Sequence, residues 1–179
     1  SSLVFSNPWE RLVSGYKNKA LEGSFTYIFK RPCEWLTRKM PKLTFKQFVT
    51  CILDRAKRPG KPLYSSEAAM ELNEHWMPLY TLSVPCLVNY TLIADFEHFH
   101  NDTTEALRIF KFSATLTHRN PSKQDKSLSE WYDELDILMI NDLKELYKND
   151  FEVFAYDTTP PNFGKRQNAN NTHSLEHPS

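Results

Sequence analysis

The chain has no surplus of charge: 22 lysines and arginines face 22 aspartates and glutamates in 179 residues, for a net charge of zero with histidine neutral. No global field therefore draws nucleic acid or an acidic membrane to it, and any polyanion must be met by local patches. No apolar run approaches the ~18 residues that span a bilayer, and no signal peptide is visible. Internal repeats are absent. The three cysteines, Cys33, Cys51 and Cys86, have no metal-ligand spacing, and their odd number leaves at least one unpaired unless it bonds another chain or a missing segment. Cys51 falls on an apolar helical stripe, where it reads as packing. An initiator methionine is also missing, and Ser1 leads straight into strand-like residues, so the expectation is a fragment that begins inside a larger fold.

What is present suits one globular domain. Hydrophobic residues make up 40% and aromatics 13%, enough for a real core in a chain of this length and too much for disorder through most of it. Three acceptor patterns for asparagine glycosylation occur, Asn89-Tyr90-Thr91, Asn101-Asp102-Thr103 and Asn170-Asn171-Thr172, while Asn120-Pro121-Ser122 is excluded by its proline. Together they tilt the chain toward the secretory pathway.

The stretch Leu3–Lys19 reads as a short apolar strand, a tight junction and an amphipathic helix. Asn7 can cap the helix, Pro8 at its first position gives up an N–H that had no partner, and Glu10 would complete a capping box. Trp9, Leu12, Val13, Tyr16 and Ala20 form the core stripe. Arg11, Ser14 and Asn18 line up on another face, at a helix start whose free N–H groups and dipole favour anions. That face is either a solvated surface with an ordinary cap or a place for a phosphate.

Farther along, Gly23–Pro32 is a loop whose Phe25–Phe29 core could be a strand, and Cys33–Met40 holds one or two helical turns. Thr44 and Gln47 form a capping box before the stripe Phe45, Phe48, Val49, Ile52, Leu53, Ala56, which Arg58-Pro59-Gly60 stops. Pro59–Glu71 is a surface loop that begins among the basic residues Arg55, Lys57, Arg58 and Lys61, a wet helix end or a contact for an acidic polymer. Leu87–Phe96 reads as a buried strand. Asn101 or Asp102 can cap a helix through Phe110, and Phe112–Lys126 is polar and loop-like. Ser127 and Glu130 open a helical region with the stripe Leu135, Leu138, Met139, Leu143, Leu146 and Tyr147. The expected organisation is a domain over 1–156 and a disordered polar tail over 157–179. Strands alternating with helices predict an α/β fold with a small, mostly parallel sheet flanked by helices.

Four of these stretches, in a fixed order, resemble the Golgi carbohydrate sulfotransferases of the chondroitin 4-O-sulfotransferase and HNK-1 sulfotransferase type. Asn7-Pro8-Trp9-Glu10-Arg11-Leu12-Val13-Ser14-Gly15-Tyr16 is similar to the family's Arg-x-Pro-Phe-Glu-Arg-Leu-Val-Ser-Ala-Tyr segment. Phe45-Lys46-Gln47-Phe48-Val49, then Asn73-Glu74-His75-Trp76 with Pro85-Cys86 and Tyr90, then Leu146-Tyr147 through Asp150–Tyr156, resemble later segments. The resemblance runs from about Leu3 to Phe163.

It implies a P-loop-like α/β fold, present here in part, that transfers a sulfuryl group from 3′-phosphoadenosine 5′-phosphosulfate to a sugar hydroxyl on the lumenal side of the Golgi membrane. In the family the strand-to-helix segment holds the donor's 3′-phosphate with an arginine before the junction and a serine beyond it; Ser14 stands at the serine position. Ser6 occupies the arginine position, and losing a charge-assisted bond there weakens binding by about tenfold to a hundredfold or more unless another cation, with Arg11 nearest, takes its place. Arg11 equally suits a structural ion pair. The family's phosphosulfate loop and membrane anchor are expected upstream of this chain, which alone should not turn over. Ser83 stands where the family commonly has a cysteine, leaving the pairing of Cys86 open.

Sulfuryl transfer is an in-line displacement that calls for positioning, electrostatic stabilisation and a base for the hydroxyl proton, and in principle for no metal. His75 is the nominee for that base, the alternative being a loop histidine packed on Trp76. Glu74 and Glu97 are lesser candidates. The acceptors of this class are acidic glycans or proteoglycans, for which Lys17, Lys19, Arg55 and Arg58 are plausible contacts. A non-catalytic relative that keeps the fold and binds glycan stays open beside the transferase, and an unrelated helical interaction domain ranks last.

Overall fold

The computed structural model describes residues 2–21, 43–57, 65, 69–70, 72–95, 126–161 and 163. The elements expected at Gly23–Pro32, Cys33–Met40 and Asn101–Phe110, most of the loop at Pro59–Glu71, the stretch from Phe112 up to Lys126, and Arg58, Lys61 and Glu97 lie outside those residues.

Strand β1 (Ser2–Phe5) runs parallel to β2 (Leu92–Asp95), with Leu3 opposite Ile93 and Val4 opposite Ala94. Together with the helices around it, this two-stranded sheet is the partial α/β fold expected. The chain turns out of β1 at Ser6–Asn7 into helix α1 (Pro8–Gly15). Asn7 Oδ1 accepts the Trp9 N–H at 3.0 Å, one residue earlier than a capping box would engage, and Pro8 stands at the first helical position as its missing donor allows. Beyond Gly15 the helix widens into a π-helical segment, Tyr16–Leu21. Such a widening re-aims the side chains that follow it.

Helix α2 (Phe45–Ala56) is capped as its sequence requires: the Gln47 N–H donates to Thr44 Oγ1 at 3.2 Å and the Thr44 N–H to Gln47 Oε1 at 2.9 Å. Its whole predicted stripe is buried. Cys51 within that stripe is disulfide-bonded as well as packed, its partner lying outside the described residues, whereas Cys86 is free and exposed.

The strand expected over Leu87–Phe96 is shorter. It begins at Leu92, because helix α3 (Leu79–Ser83) ends at Val84 in a left-handed conformation (φ 42°) and the chain then turns until Thr91. The long helical region after Ser127 is also divided, into α4 (Leu128–Tyr132), α5 (Ile137–Leu146) and α6 (Lys148–Val153). Asp136 restarts the helix by accepting the Met139 N–H at 3.0 Å. The phase changes as a result: Ile140 takes an interior place and Leu138 points to solvent.

The core joining these helices is aromatic. Trp9 meets Tyr132 edge-on and Phe151 at a tilt, each at 5.1 Å between ring centroids, and Phe48 meets Trp76 edge-on at 5.2 Å. The tyrosines in it are anchored: Tyr132 donates to the Trp9 carbonyl at 2.7 Å, Tyr147 to that of Trp76 at 2.5 Å and Tyr16 to that of Leu43 at 2.6 Å. Burial pushes the Tyr16 phenol up to about 12, with Glu134 adding to the effect, and raises Tyr132 and Tyr147 as well. At Asp157–Phe163, Trp9 Nε1 donates to the Asp157 carbonyl at 3.2 Å, Pro160 is buried and Phe163 packs against the core.

The buried carboxylate of Asp150, on α6, accepts the N–H groups of Leu79 at 2.8 Å and Tyr80 at 2.7 Å and so caps α3. Desolvation raises its pKa, and those same bonds oppose the rise. Asp150→Ala leaves two donors without an acceptor at roughly 1–3 kcal/mol each, so a loss of about 2–6 kcal/mol is expected in urea unfolding, with Asp150→Asn, which keeps one acceptor oxygen, losing about half as much.

Candidate functional site

Helix α1 and the turn at Asn73–Pro78 form one unit. The turn is local: Asn73 Oδ1 accepts the His75 N–H at 3.0 Å, and the Asn73 carbonyl accepts from Trp76 at 3.0 Å and Met77 at 2.8 Å. Arg11 then reaches across from α1. Its Nη2 donates to the Glu74 carbonyl at 2.6 Å and its Nη1 to the Met77 carbonyl, so the guanidinium fork spans the backbone on both sides of His75. Tyr147 holds the intervening Trp76 carbonyl from below, and Trp76 itself is buried.

Gly15 permits this close approach. A Cβ there would lie 3.3 Å from the His75 carbonyl oxygen and 3.6 Å from the Trp76 ring.

The imidazole of His75 stays at the surface, its side chain 39% exposed with Nε2 3.9 Å from Glu74 Oε1. Its pKa is lowered, first by partial burial and then by the positive charges of Lys19 and Arg11, against the opposing pull of Glu74. The neutral ring, which can accept a proton, is thus favoured near pH 7. The shift is a depression, so whatever His75 contributes to stability is present above its ordinary value of 6.5 and lost as the pH falls.

Ser14 is exposed and accepts a bond from Asn18 Nδ2 at 3.3 Å. It sits in the last turn of α1, not the opening turns. At 1.5 Å per residue it lies about 9 Å along the axis from Pro8, beyond the reach of the N-terminal dipole. Any favourable field for an anion there must come from side chains, of which Lys17 and Lys19 stand half-buried on the π-helical segment that follows. Ser6 is half-buried at the corner itself.

Of the four residues singled out from sequence, Arg11 and His75 are joined through the turn, Ser14 shares the helix of Arg11, and Ser6 stands at the other end of that helix. Arg11 departs from the expected outward face because two backbone carbonyls engage it. Sequence reasoning missed Gly15, and it took Tyr147 and Asp150 as part of a packed segment without their polar roles. Asp150 stands among Lys148, Asn149 and Glu152, so nothing in its sequence neighbourhood marked it as buried. Ser83, at the position where a second cysteine was considered, is buried and donates to the Leu79 carbonyl at 2.7 Å. Among the described residues no cluster of His, Cys, Asp or Glu is placed to hold a metal ion, and no helix is long and apolar enough to cross a membrane.

Residues 3–157 match the model of the sulfotransferase family. Carbohydrate sulfotransferase 11 of Rattus norvegicus is 28% identical over 179 residues, covering 91% of this chain and 48% of that protein. Carbohydrate sulfotransferase 12 of Xenopus laevis is 30% identical over 178 residues, covering 86% and 39%, and carbohydrate sulfotransferase 14 of Homo sapiens 26% over 170 residues, covering 86% and 41%. The chain therefore spans about half the length of these relatives or less. No solved structure matches it.

The electrostatics of the site can be read directly. An NMR titration of the His75 ring is expected to give a midpoint below 6.5; Lys19→Gln should move it upward and Glu74→Gln farther down, and no response to either would separate the ring from these charges.

Proposed function

This chain belongs to the sulfotransferase family, and we propose that the full-length protein transfers a sulfuryl group from 3′-phosphoadenosine 5′-phosphosulfate to a hydroxyl of a glycan or proteoglycan. What carries this proposal is the mounting of His75: a half-exposed imidazole biased toward its neutral form, on a backbone held at both sides by Arg11. His75 takes the proton of the acceptor hydroxyl as that oxygen attacks sulfur. Preorganisation is the contribution of the scaffold, because a base that need not be reoriented lowers the entropic part of the barrier.

Ser14 is assigned to the donor's 3′-phosphate. Its oxygen already accepts from Asn18, which leaves its hydroxyl hydrogen for a phosphate oxygen. Arg11 is assigned a positioning role, since both of its terminal nitrogens are engaged by the turn. Ser6 marks the place of the missing arginine and is left with at most a neutral contact to the donor. Lys17 and Lys19 are the contacts proposed for an acidic acceptor chain. The lumenal side of the Golgi membrane is proposed as the location, with an anchor in the full-length protein, and the disulfide at Cys51 supports an oxidising compartment.

One observation favours a glycan-binding relative without turnover: Ser6 supplies no cation, and the guanidinium nearest to it is turned away to the Glu74 and Met77 carbonyls. Binding and activity of the full-length protein decide between the two. Retention on immobilised adenosine 3′,5′-bisphosphate is expected, weakened about tenfold or more by Ser14→Ala. With a glycosaminoglycan acceptor, His75→Ala should abolish turnover while leaving that retention intact. The absence of retention in the unaltered protein would favour the non-catalytic role.

A further inference from the structure

Residues 84–91, between α3 and β2, bring an unusual amount of apolar side chain to the surface: Leu87 is 85% exposed and Val88 37%, with Ile93 50% exposed just beyond. Folded domains seldom leave several large apolar side chains of one short stretch in water without a cover. The same loop contains Asn89-Tyr90-Thr91, and its geometry sorts those three residues. Tyr90 is half-buried and donates its hydroxyl to the Ser83 carbonyl at 2.7 Å, tying the loop back to α3. Asn89 and Thr91, on either side, are exposed. A bulky group attached before folding is compatible with the native structure only at such an outward asparagine. The disulfide at Cys51 belongs to the kind of compartment in which asparagine glycosylation occurs.

We infer that Asn89 carries an N-linked oligosaccharide whose first sugars cover Leu87 and Val88; this rests on the lumenal location proposed above. In the transfer, the Asn89 side-chain nitrogen bonds to C1 of the first sugar of a polyprenyl-diphosphate oligosaccharide. The C1–O bond to the diphosphate breaks, the carrier leaves with the electron pair, and the amide loses one proton to the base of the transferring enzyme.

The test is peptide mapping by mass spectrometry of the full-length protein from mammalian cells, with enzymatic deglycosylation in heavy-oxygen water. The expected result is heavy-oxygen labelling at Asn89 and loss of one glycan's mass in both Asn89→Gln and Thr91→Ala. Sugar on Asn101 or Asn170 with a bare Asn89 overturns the inference and leaves the lumenal location standing. Sugar on none of the three overturns both. For the covering role, Asn89→Gln should bind more of a dye that reports exposed apolar surface than the glycosylated protein does, and equal binding would overturn it.

Discussion

The backbone of residues 74–80 is held by side chains distant in sequence, from α1, from α6 and from the junction between α5 and α6. Arg11 takes the carbonyls of Glu74 and Met77, Tyr147 takes that of Trp76, and Asp150 takes the N–H groups of Leu79 and Tyr80. An irregular turn beside a helix end carries polar groups that burial would otherwise leave unsatisfied, at a cost comparable to a large share of a domain's net stability. Here nearly every such group of the segment meets a partner, and α1, α3 and α6 are locked to one another through it.

That arrangement limits what each residue can do chemically. A guanidinium engaged by two carbonyls is a bracket, and its charge acts at a distance by disfavouring the protonated ring of His75. The ring remains at the surface while the carbonyl oxygen of its residue lies against Gly15. Helix and turn approach so closely there that an ordinary side chain at position 15 would press on the backbone carrying the proposed base. Ser14, one residue earlier, faces outward with Asn18. The helix thus presents a packed side, a bracketing side and a polar side within a single turn.

The local elements were legible in the sequence wherever one rule dominated. The Thr44–Gln47 cap, the stripe of α2 and the Asn7–Pro8 corner follow from capping chemistry and a 3.6-residue period, which tertiary contacts have no reason to override. Leu87–Phe96 failed because β-branched and aromatic content marks a surface suited to a sheet without saying that a sheet is there; the left-handed Val84 and the turn after it take the first half of that run. Leu138 failed for a related reason, since Asp136 restarts the helix and shifts its phase.

By itself the sequence determined α1 and α2, the Thr44–Gln47 cap, the strand–corner–helix order and kinship with the sulfotransferase family, because each is written in neighbouring residues or in motifs of fixed order. The tertiary structure alone decided that Arg11 reaches the carbonyls of Glu74 and Met77, that Gly15 makes room for the His75 backbone, and that Tyr147 and Asp150 hold the turn from the far end of the chain. Those outcomes depend on which buried backbone groups need a partner, and that need exists only once distant segments have excluded water from between them.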